Sequence, residues 1–438
     1  MKRLMGSILC SMTFISMTPT VHAQGGINVD RTDQNIDCEA NTKDPLRIVY
    51  GKDGNMFISM MDLFNNLPSD KYIETISKIS QNLNAQGITL VIVPVAHKGA
   101  VDFEFLDQND PLQKAFNPQS MRAQIGKLVS DLKKNGLNVV DTLPILDQSS
   151  PAFWKADWHW RPETARAVAR QVATSVNSLD ISKNIPSVDF STSKVGETEL
   201  VDDSAFLLRR IQNLCNVKLK SRDALNIYKT DRIIPLSLLD EDTPSIVLAG
   251  TSYSSDTWNF EGFLKEYLKK DILNVSISGG GPFASLTNYL ISDSFKDNKP
   301  KVIIWEWDTS RFRDTPEDQS AWQQLLVTTG IDCRNGQDVL KTSIRQLLKG
   351  VTLSNPTKVS QDTMITFTDK SINDFQLYVN LPGEGIRQKR LIRFNTPNEI
   401  PEFFASMGSF SKIHIFIPDW VKNYDTESQV SLKQCDRF

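Results

Sequence analysis

The sequence predicts an α/β domain, a sheet covered by helices, followed by a small all-β sandwich. Two textures carry that reading. From about residue 47 to 330, apolar runs of strand length alternate with amphipathic stretches of helical period. After Cys333, short runs rich in β-branched and aromatic residues recur between Pro, Gly, Asn and Asp, as in a sandwich. The 438 residues also exceed what one hydrophobic core usually organises, so two domains are expected.

At the start of the chain, Lys2 and Arg3 precede the apolar stretch Leu4 to Met17, and Val21-His22-Ala23 stands before Gln24. That is the layout of a secretory signal, so residues 1–23 are expected to be cleaved and the remainder to be a soluble periplasmic protein. A membrane anchor is the rival reading, but the stretch is short and broken by Ser and Thr. No lipobox precedes Cys10, and no later segment is long and apolar enough to span a bilayer.

The strand-like runs are RIVYG at 47, ITLVIVPV at 88, LNVVDTL at 137, SIVLAG at 245, ILNVSIS at 272 and KVIIWEW at 301. Several lack polar alternation, as central strands buried on both faces do. Helical period marks Tyr72 to Gln86, Met121 to Asn135, Pro162 to Leu179 and Phe260 to Lys270. Residues 186–231 are less regular and read as an insertion or cap over the sheet. The runs TMITFTD, DFQLYVNL, RLIRFN and KIHIFIPDW make the sandwich, and Leu340 to Lys349 fits a bridging helix. The expected domains are therefore 24–332 and 333–438.

Removing the signal takes Cys10 with it and leaves Cys38, Cys215, Cys333 and Cys435. An even number in an exported chain favours disulfides. Three pairings are possible; if each domain is covalently self-contained, Cys38 pairs with Cys215 and Cys333 with Cys435. A zinc site is the rival, but no spacing approaches a CxxC pattern.

Three segments carry chemistry. In SIVLAG-TS-YSSD a buried strand ends at Gly250, and Thr251 and Ser252 form a turn before a helix starting near Asn259. Such a turn lifts a serine out of the sheet edge where open α/β folds bind ligands, although many such serines only cap helices. In Asp157-Trp158-His159-Trp160-Arg161-Pro162-Glu163, the Pro-Glu pair marks a helix start. Asp157 and His159 are then expected in an extended approach, two apart and on one side, so that the carboxylate orients the imidazole as a base for a serine. A helix-capping Asp beside a structural His is the alternative. Once His22 is gone, His97, His159 and His414 remain; His97 lacks an adjacent carboxylate and His414 sits in a sandwich strand, so His159 is the better base. Three scattered histidines give no metal site, and no cofactor is implied. Third, Gly279, Gly280 and Gly281 follow a buried strand, where backbone N–H groups can approach an oxyanion, or simply form a turn.

GTSYS, DWHW before a helix, the GGGPF loop, IIWEWDTSRF and the early GKDGNMF turn occur in an order that resembles the alginate O-acetyltransferase family of AlgX and AlgJ, over roughly residues 45 to 315. The β-rich C-terminal part and the two cysteine pairs resemble the AlgX branch, in which a carbohydrate-binding module follows an SGNH-hydrolase-like domain. The resemblance implies a permuted SGNH-like α/β/α fold, with Ser252 as nucleophile, His159 as base and Asp157 as its orienter. The early turn differs, carrying Asn55-Met56-Phe57 where family members often have a Trp-Leu-Phe type sequence. The implied activity is O-acetylation of mannuronate hydroxyls in nascent alginate, with other periplasmic secretion proteins as partners; the sequence names no acetyl donor. Acetylation of another exopolysaccharide, a polysaccharide acetyl-esterase and a non-catalytic polymer-binding or export protein are the alternatives.

A formal net charge of -3 predicts no general attraction to nucleic acid, so a polyanionic partner needs a local basic patch. GIRQKRLIRF is the best one. As a strand it would set Arg387, Lys389 and Arg393 on one face, spaced to follow carboxylates along a polyuronate, and Arg390, Ile392 and Phe394 on the other. A charge-guarded edge strand is the bland alternative.

Overall fold

A computed structural model describes residues 38–437 apart from 65–66, 68–69, 200–204, 218–222, 234–243, 312–315, 355–361, 384, 393–401 and 422. The expected signal at 1–23 lies outside the described residues. Among those described, no helix is long and apolar enough to cross a membrane.

The first domain is built on five parallel strands in the order β4-β3-β9-β7-β8, where β3 is Thr89–Val95, β4 Asn138–Val139, β7 Ile246–Ala249, β8 Ile272–Asn274 and β9 Val302–Asp308. Side chains alternate along each strand, and both sides are covered. Val91, Val93, Ile246, Leu248 and Ile304 enter one apolar layer. Leu90, Ile92, Val247, Ile303, Trp305 and Trp307 enter the other. Double burial is why the central runs are mostly apolar. The strand order reverses between β3 and β7, with β9 filling the gap, so the loops after these strands converge at the carboxyl edge.

Two parts of the sequence behave differently from expectation. RIVYG does not join the main sheet. Its residues Ile48–Tyr50 (β1) pair antiparallel with Met56–Ile58 (β2), because Asp53 and Gly54, with φ of 54° and 81°, fold the chain straight back. Residues 186–231 are more regular than their texture suggests. Phe190–Glu199 (β5) and Ala224–Arg232 (β6) form a long antiparallel ribbon, with the helix Phe206–Cys215 between them in sequence. The ribbon lies on the helix Phe260–Leu268, with Tyr228 edge-on to Phe263 at 5.3 Å. Its exposed residues are mostly polar apart from Val195 and Ile227, so no continuous apolar run marks it.

Helix Pro316–Gly330 connects the domains, and the chain then enters a sandwich of two four-stranded antiparallel sheets. One sheet orders β10 (Ile331–Ser343), β17 (Gln429–Arg437), β12 (Asp362–Phe367) and β15 (Glu402–Ala405). The other orders β11 (Val351–Thr352), β16 (Lys412–Phe416), β13 (Asp374–Leu381) and β14 (Gly385–Ile392). Phe367, Phe375, Leu377, Ile413, Ile415 and Leu432 fill the space between them. The expected helix at 340–349 is shortened to Ile344–Lys349, because β10 continues to Ser343 in register with Gln429.

Both cysteine pairs form within their own domains. Cys38–Cys215 ties the start of the described chain to the end of helix Phe206–Cys215, and Cys333–Cys435 ties β10 to β17.

Candidate active site

β7 ends at Ala249, and the chain turns sharply through Gly250. A Cβ at Gly250 would lie 2.4 Å from Ser254 Oγ and 2.6 Å from Glu306 Oε2, so no larger residue fits. Thr251 then caps the single turn Ser252–Ser254, its Oγ1 accepting from Tyr253 N at 3.3 Å. Ser252 is half-buried at the carboxyl edge of the sheet.

The segment 152–161 is not the extended approach that its sequence suggests. A bridge between Phe153 and Trp160 closes it into a tight loop, and Trp154 N donates to His159 O at 3.0 Å. Asp157 shapes the tip. Its Oδ1 accepts from Trp158 N at 2.7 Å, His159 N at 3.0 Å and His159 Nδ1 at 2.6 Å, while Oδ2 accepts from Phe206 N at 3.0 Å. The carboxylate meets the imidazole because the backbone wraps around it, as Asp side chains in turns do.

With Nδ1 donating to Asp157, Nε2 carries the lone pair, and Ser252 Oγ lies 2.7 Å from it. The hydroxyl of one loop thus donates to an imidazole oriented by a carboxylate of another. Burial works against the Asp157 charge, but His159 and the Phe206 and His159 N–H groups outweigh it and hold the carboxyl below its usual range. Aromatic side chains fix the ring. Trp258 stacks on His159 at 5.2 Å and donates through Nε1 to Ser252 O at 3.0 Å, while Tyr253 meets the ring edge-on at 5.0 Å.

Charged residues that the sequence reading passed over brace this loop from beneath. Lys98, fully buried, donates through Nζ to the carbonyls of Trp154, Lys155 at 2.9 Å and Asp157 at 3.1 Å. Asp102 accepts from Ala152 N at 2.9 Å and Phe153 N at 3.0 Å. Asp223 accepts from Lys155 N and Arg161 Nη1. The sequence signal, a Lys and an Asp at the end of an apolar strand, is too common to single out.

His97 sits at the same sheet edge but points its Nδ1 at Thr309 Oγ1, 3.2 Å away, and burial pushes it down to about 4. His414 stacks on Tyr378 in the sandwich. Gly279 and Gly281 adopt φ of 76° and 60°. The segment leading to them is tied to the Ser252 turn by Ile277 N to Gly250 O and by Asn274 Nδ2 to Ser254 O, both 3.0 Å. Among the described residues, no group of three or more His, Cys, Asp or Glu is placed to hold a metal ion.

The basic strand takes an unexpected orientation. Arg387 and Lys389 stand opposite Val379 and Leu377 of β13, which point into the sandwich, so they share that side, with Lys389 half-buried and Arg387 exposed beyond the core. Lys389 donates to Gln323 of helix Pro316–Gly330 at 3.1 Å, and burial followed by the nearby Arg387 charge lowers its pKa. Arg393 lies outside the described residues. The outward face of the same sheet is aromatic and polar. Tyr378 and His414 stack at 4.5 Å with ring planes 4° apart, Gln376 stands opposite the exposed Phe416, and Arg390 and Trp420 both bond Asp374. Alternation in DFQLYVNL and KIHIF held that signal.

Comparison with known proteins gives the same architecture. Residues 48–309 match the family model described as the SGNH hydrolase-like domain of the acetyltransferase AlgX. The alginate biosynthesis protein AlgX of Pseudomonas putida is 27% identical over 75% of this chain and 71% of its own. The probable alginate O-acetylase AlgJ of Pseudomonas aeruginosa is 25% identical over 59% of this chain and 69% of its own. The solved structure of Pseudomonas aeruginosa AlgX aligns with a TM-score of 0.74 at 21% identity, covering 91% of this chain and 99% of that one. The O-acetyltransferase domain of Pseudomonas putida AlgJ aligns with a TM-score of 0.51 at 23% identity, covering 64% and 98%. The family match spans more than half of the chain and includes Ser252, His159 and Asp157, so this protein belongs to the family of the SGNH hydrolase-like acetyltransferase domain of AlgX.

Proposed function

We propose that this protein is a periplasmic O-acetyltransferase that moves acetyl groups through Ser252 onto hydroxyls of mannuronate residues in alginate. The observation that carries the reading is the chain of short hydrogen bonds from Ser252 Oγ through His159 to Asp157. Ser252 Oγ attacks the acetyl carbonyl of a donor while His159 Nε2 takes its proton; Asp157 stabilises the imidazolium. The proton passes to the donor's leaving group, and acetyl-Ser252 remains. A sugar hydroxyl then gives its proton to His159 and attacks the acyl carbon, which releases the ester and restores Ser252. Backbone N–H groups of Gly279, Gly280 and Gly281 are the candidates for holding the oxyanion, on a loop tied to the nucleophile turn.

The sandwich would hold the polymer. Arg387, Lys389 and Arg393 were the cations expected to follow its carboxylates, and the inward turn of Lys389 favours the outer face instead. There the flat Tyr378–His414 pair offers a stacking surface for sugar rings, with Gln376, Gln388 and Arg390 beside it as polar partners.

The test is purified protein with a chromogenic acetyl ester, with and without oligomannuronate. Acetylated sugar is expected. Free acetate with no acetylated sugar would make the protein an esterase, and no turnover in either arm would make it a binding protein. Ser252→Ala should lower transfer by at least about 1000-fold. Retention of a tenth or so of wild-type activity would remove Ser252 from the mechanism.

A further inference from the structure

Directly beneath Ser252, one carboxylate gathers the hydrogen bonds of the turn that carries it. Glu306 Oε2 accepts from Thr251 N at 2.8 Å and Ser254 Oγ at 2.9 Å, and Oε1 accepts from Thr251 Oγ1 at 2.9 Å. These bonds bracket Ser252 on both sides. Glu306 lies on β9 between Trp305 and Trp307, has no exposed surface, and is the sole charge within an otherwise apolar run up to Asp308. A buried carboxyl is costly to retain where an apolar residue would pack. Gly250 passes so close that a Cβ there would strike Glu306 Oε2, so carboxylate and turn are fitted to one another.

The chemistry of the three donors selects the ionised form. A carboxylate only accepts and can take all three bonds at once, whereas a protonated acid or an amide presents a donor of its own. Thr251 N–H cannot reverse, so a hydroxyl of Thr251 or Ser254 must turn from donating to accepting; its own hydrogen loses Glu306 as partner, and the grip on the turn weakens. A displacement of about 1 Å at a nucleophile is enough to cost about 100-fold in rate.

We propose that Glu306 is a positioning residue for Ser252, holding the nucleophile turn in line with His159 only while its carboxylate is ionised. The inference rests on Ser252 being the nucleophile. Burial pushes Glu306 up to about 7 despite the pull of the Thr251 and Ser254 bonds, and Asp308 on the same strand adds to the rise. The other ionisable groups around this turn are Tyr253, whose phenol is raised far above its usual value by burial and by Asp308, Asp62, Glu306 and Asp157, and His159 across the turn. Lys98 is the neighbouring buried cation, and its bonds go to the His159 loop. Activity then requires proton loss at two places, Glu306 and the His159 imidazole, where a triad alone requires one.

The test is the pH–rate profile of the full chain with p-nitrophenyl acetate. Wild type is expected to lose activity toward acid with a limb steeper than first order in protons. Glu306→Gln should lower kcat at high pH by about tenfold or more, leave KM within about twofold, and reduce the limb to first order. Its melting temperature at high pH should not fall. The raised pKa means that the folded chain holds a proton that the unfolded chain has released between about 4.5 and about 7, so the ionised carboxylate costs stability above that window and Gln removes the cost. A merely structural Glu306 predicts a lower melting temperature and an unchanged steep limb. That result, or wild-type kcat in Glu306→Gln, would overturn the inference. If Glu306→Gln does not fold, Ser254→Ala removes one donor and should move the acid limb to higher pH; an unmoved limb is equally fatal. Ser252→Ala separates the two claims. If it is active, the nucleophile assignment fails; if it is dead while Glu306→Gln behaves as wild type, only the role of Glu306 fails.

Discussion

Lys98 holds a positive charge with no exposed surface, and its three N–H donors go to carbonyls of the loop that ends in Asp157 and His159. Burial pulls its pKa down to about 8, while Asp102, Asp62, Asp157 and Asp223 resist that fall. Lys98→Met keeps the volume but takes one donor from each of three carbonyls, of which Lys155 O keeps Met56 N and Trp154 O keeps Asp157 N, and it strips the nearby carboxylates of their cation. A loss of about 3–5 kcal/mol is expected in urea unfolding, as for breaking other buried charge pairs, together with a kcat defect under conditions where the variant is folded. A loss below about 1 kcal/mol would show that the loop holds itself. At this scale the sequence was informative about Ser252, His159 and Asp157, because an Asp two before a His and a Ser at a strand end are local patterns. Lys98 and Glu306 were not legible, since the groups they bind lie more than 50 residues away in sequence and are largely backbone.

Between residue and fold, the two loops of the site arise from different devices. The Ser252 turn follows from a strand, a glycine without room for a Cβ and a Thr cap, all visible in order along the chain. The His159 loop was misread as extended. Its shape comes from Asp157 accepting two backbone N–H groups ahead of it and from a bridge between Phe153 and Trp160, and neither interaction leaves a periodic trace. β14 teaches the same point about faces. Alternation correctly grouped Arg387 with Lys389, but which group points inward depends on pairing with Leu377 and Val379 of β13. That pairing yields a prediction for the sandwich. Tyr378→Ala and His414→Ala should each weaken polymannuronate binding by about tenfold in titration calorimetry, while Arg387→Ala changes it less. The stacking role would be lost if Arg387→Ala proved the more damaging substitution.

At the scale of the whole molecule, helix Pro316–Gly330 decides how separable the two domains are. Its apolar side, with Ala321, Trp322 and Leu325, belongs to the core of the first domain, where Trp322 packs against Phe283 and Trp305. Its polar side serves the sandwich. Ser320 Oγ donates to Arg390 O, and Gln324 Nε2 donates to Ile392 O at 3.1 Å, so the helix covers the outer edge of β14 that an edge strand would otherwise expose. Each domain also closes its own disulfide, and among the described residues none crosses between them. A chain ending after Gly330 should therefore keep its core and fold, exposing mainly the small apolar junction of Ile291 and Val327 that Ile331 and Phe404 cover. It retains Ser252, His159, Asp157 and Glu306, so cleavage of a small acetyl ester should stay within about threefold of the full chain. If the sandwich holds the polymer as proposed, transfer to a long mannuronate chain should drop by about 100-fold, because the local concentration of acceptor hydroxyls is lost with it. Both rates are measurable on one preparation, with circular dichroism to establish folding. Equal loss of both activities in a folded truncation would mean that the sandwich completes the catalytic site, and equal retention would mean that the polymer is gripped by the first domain alone.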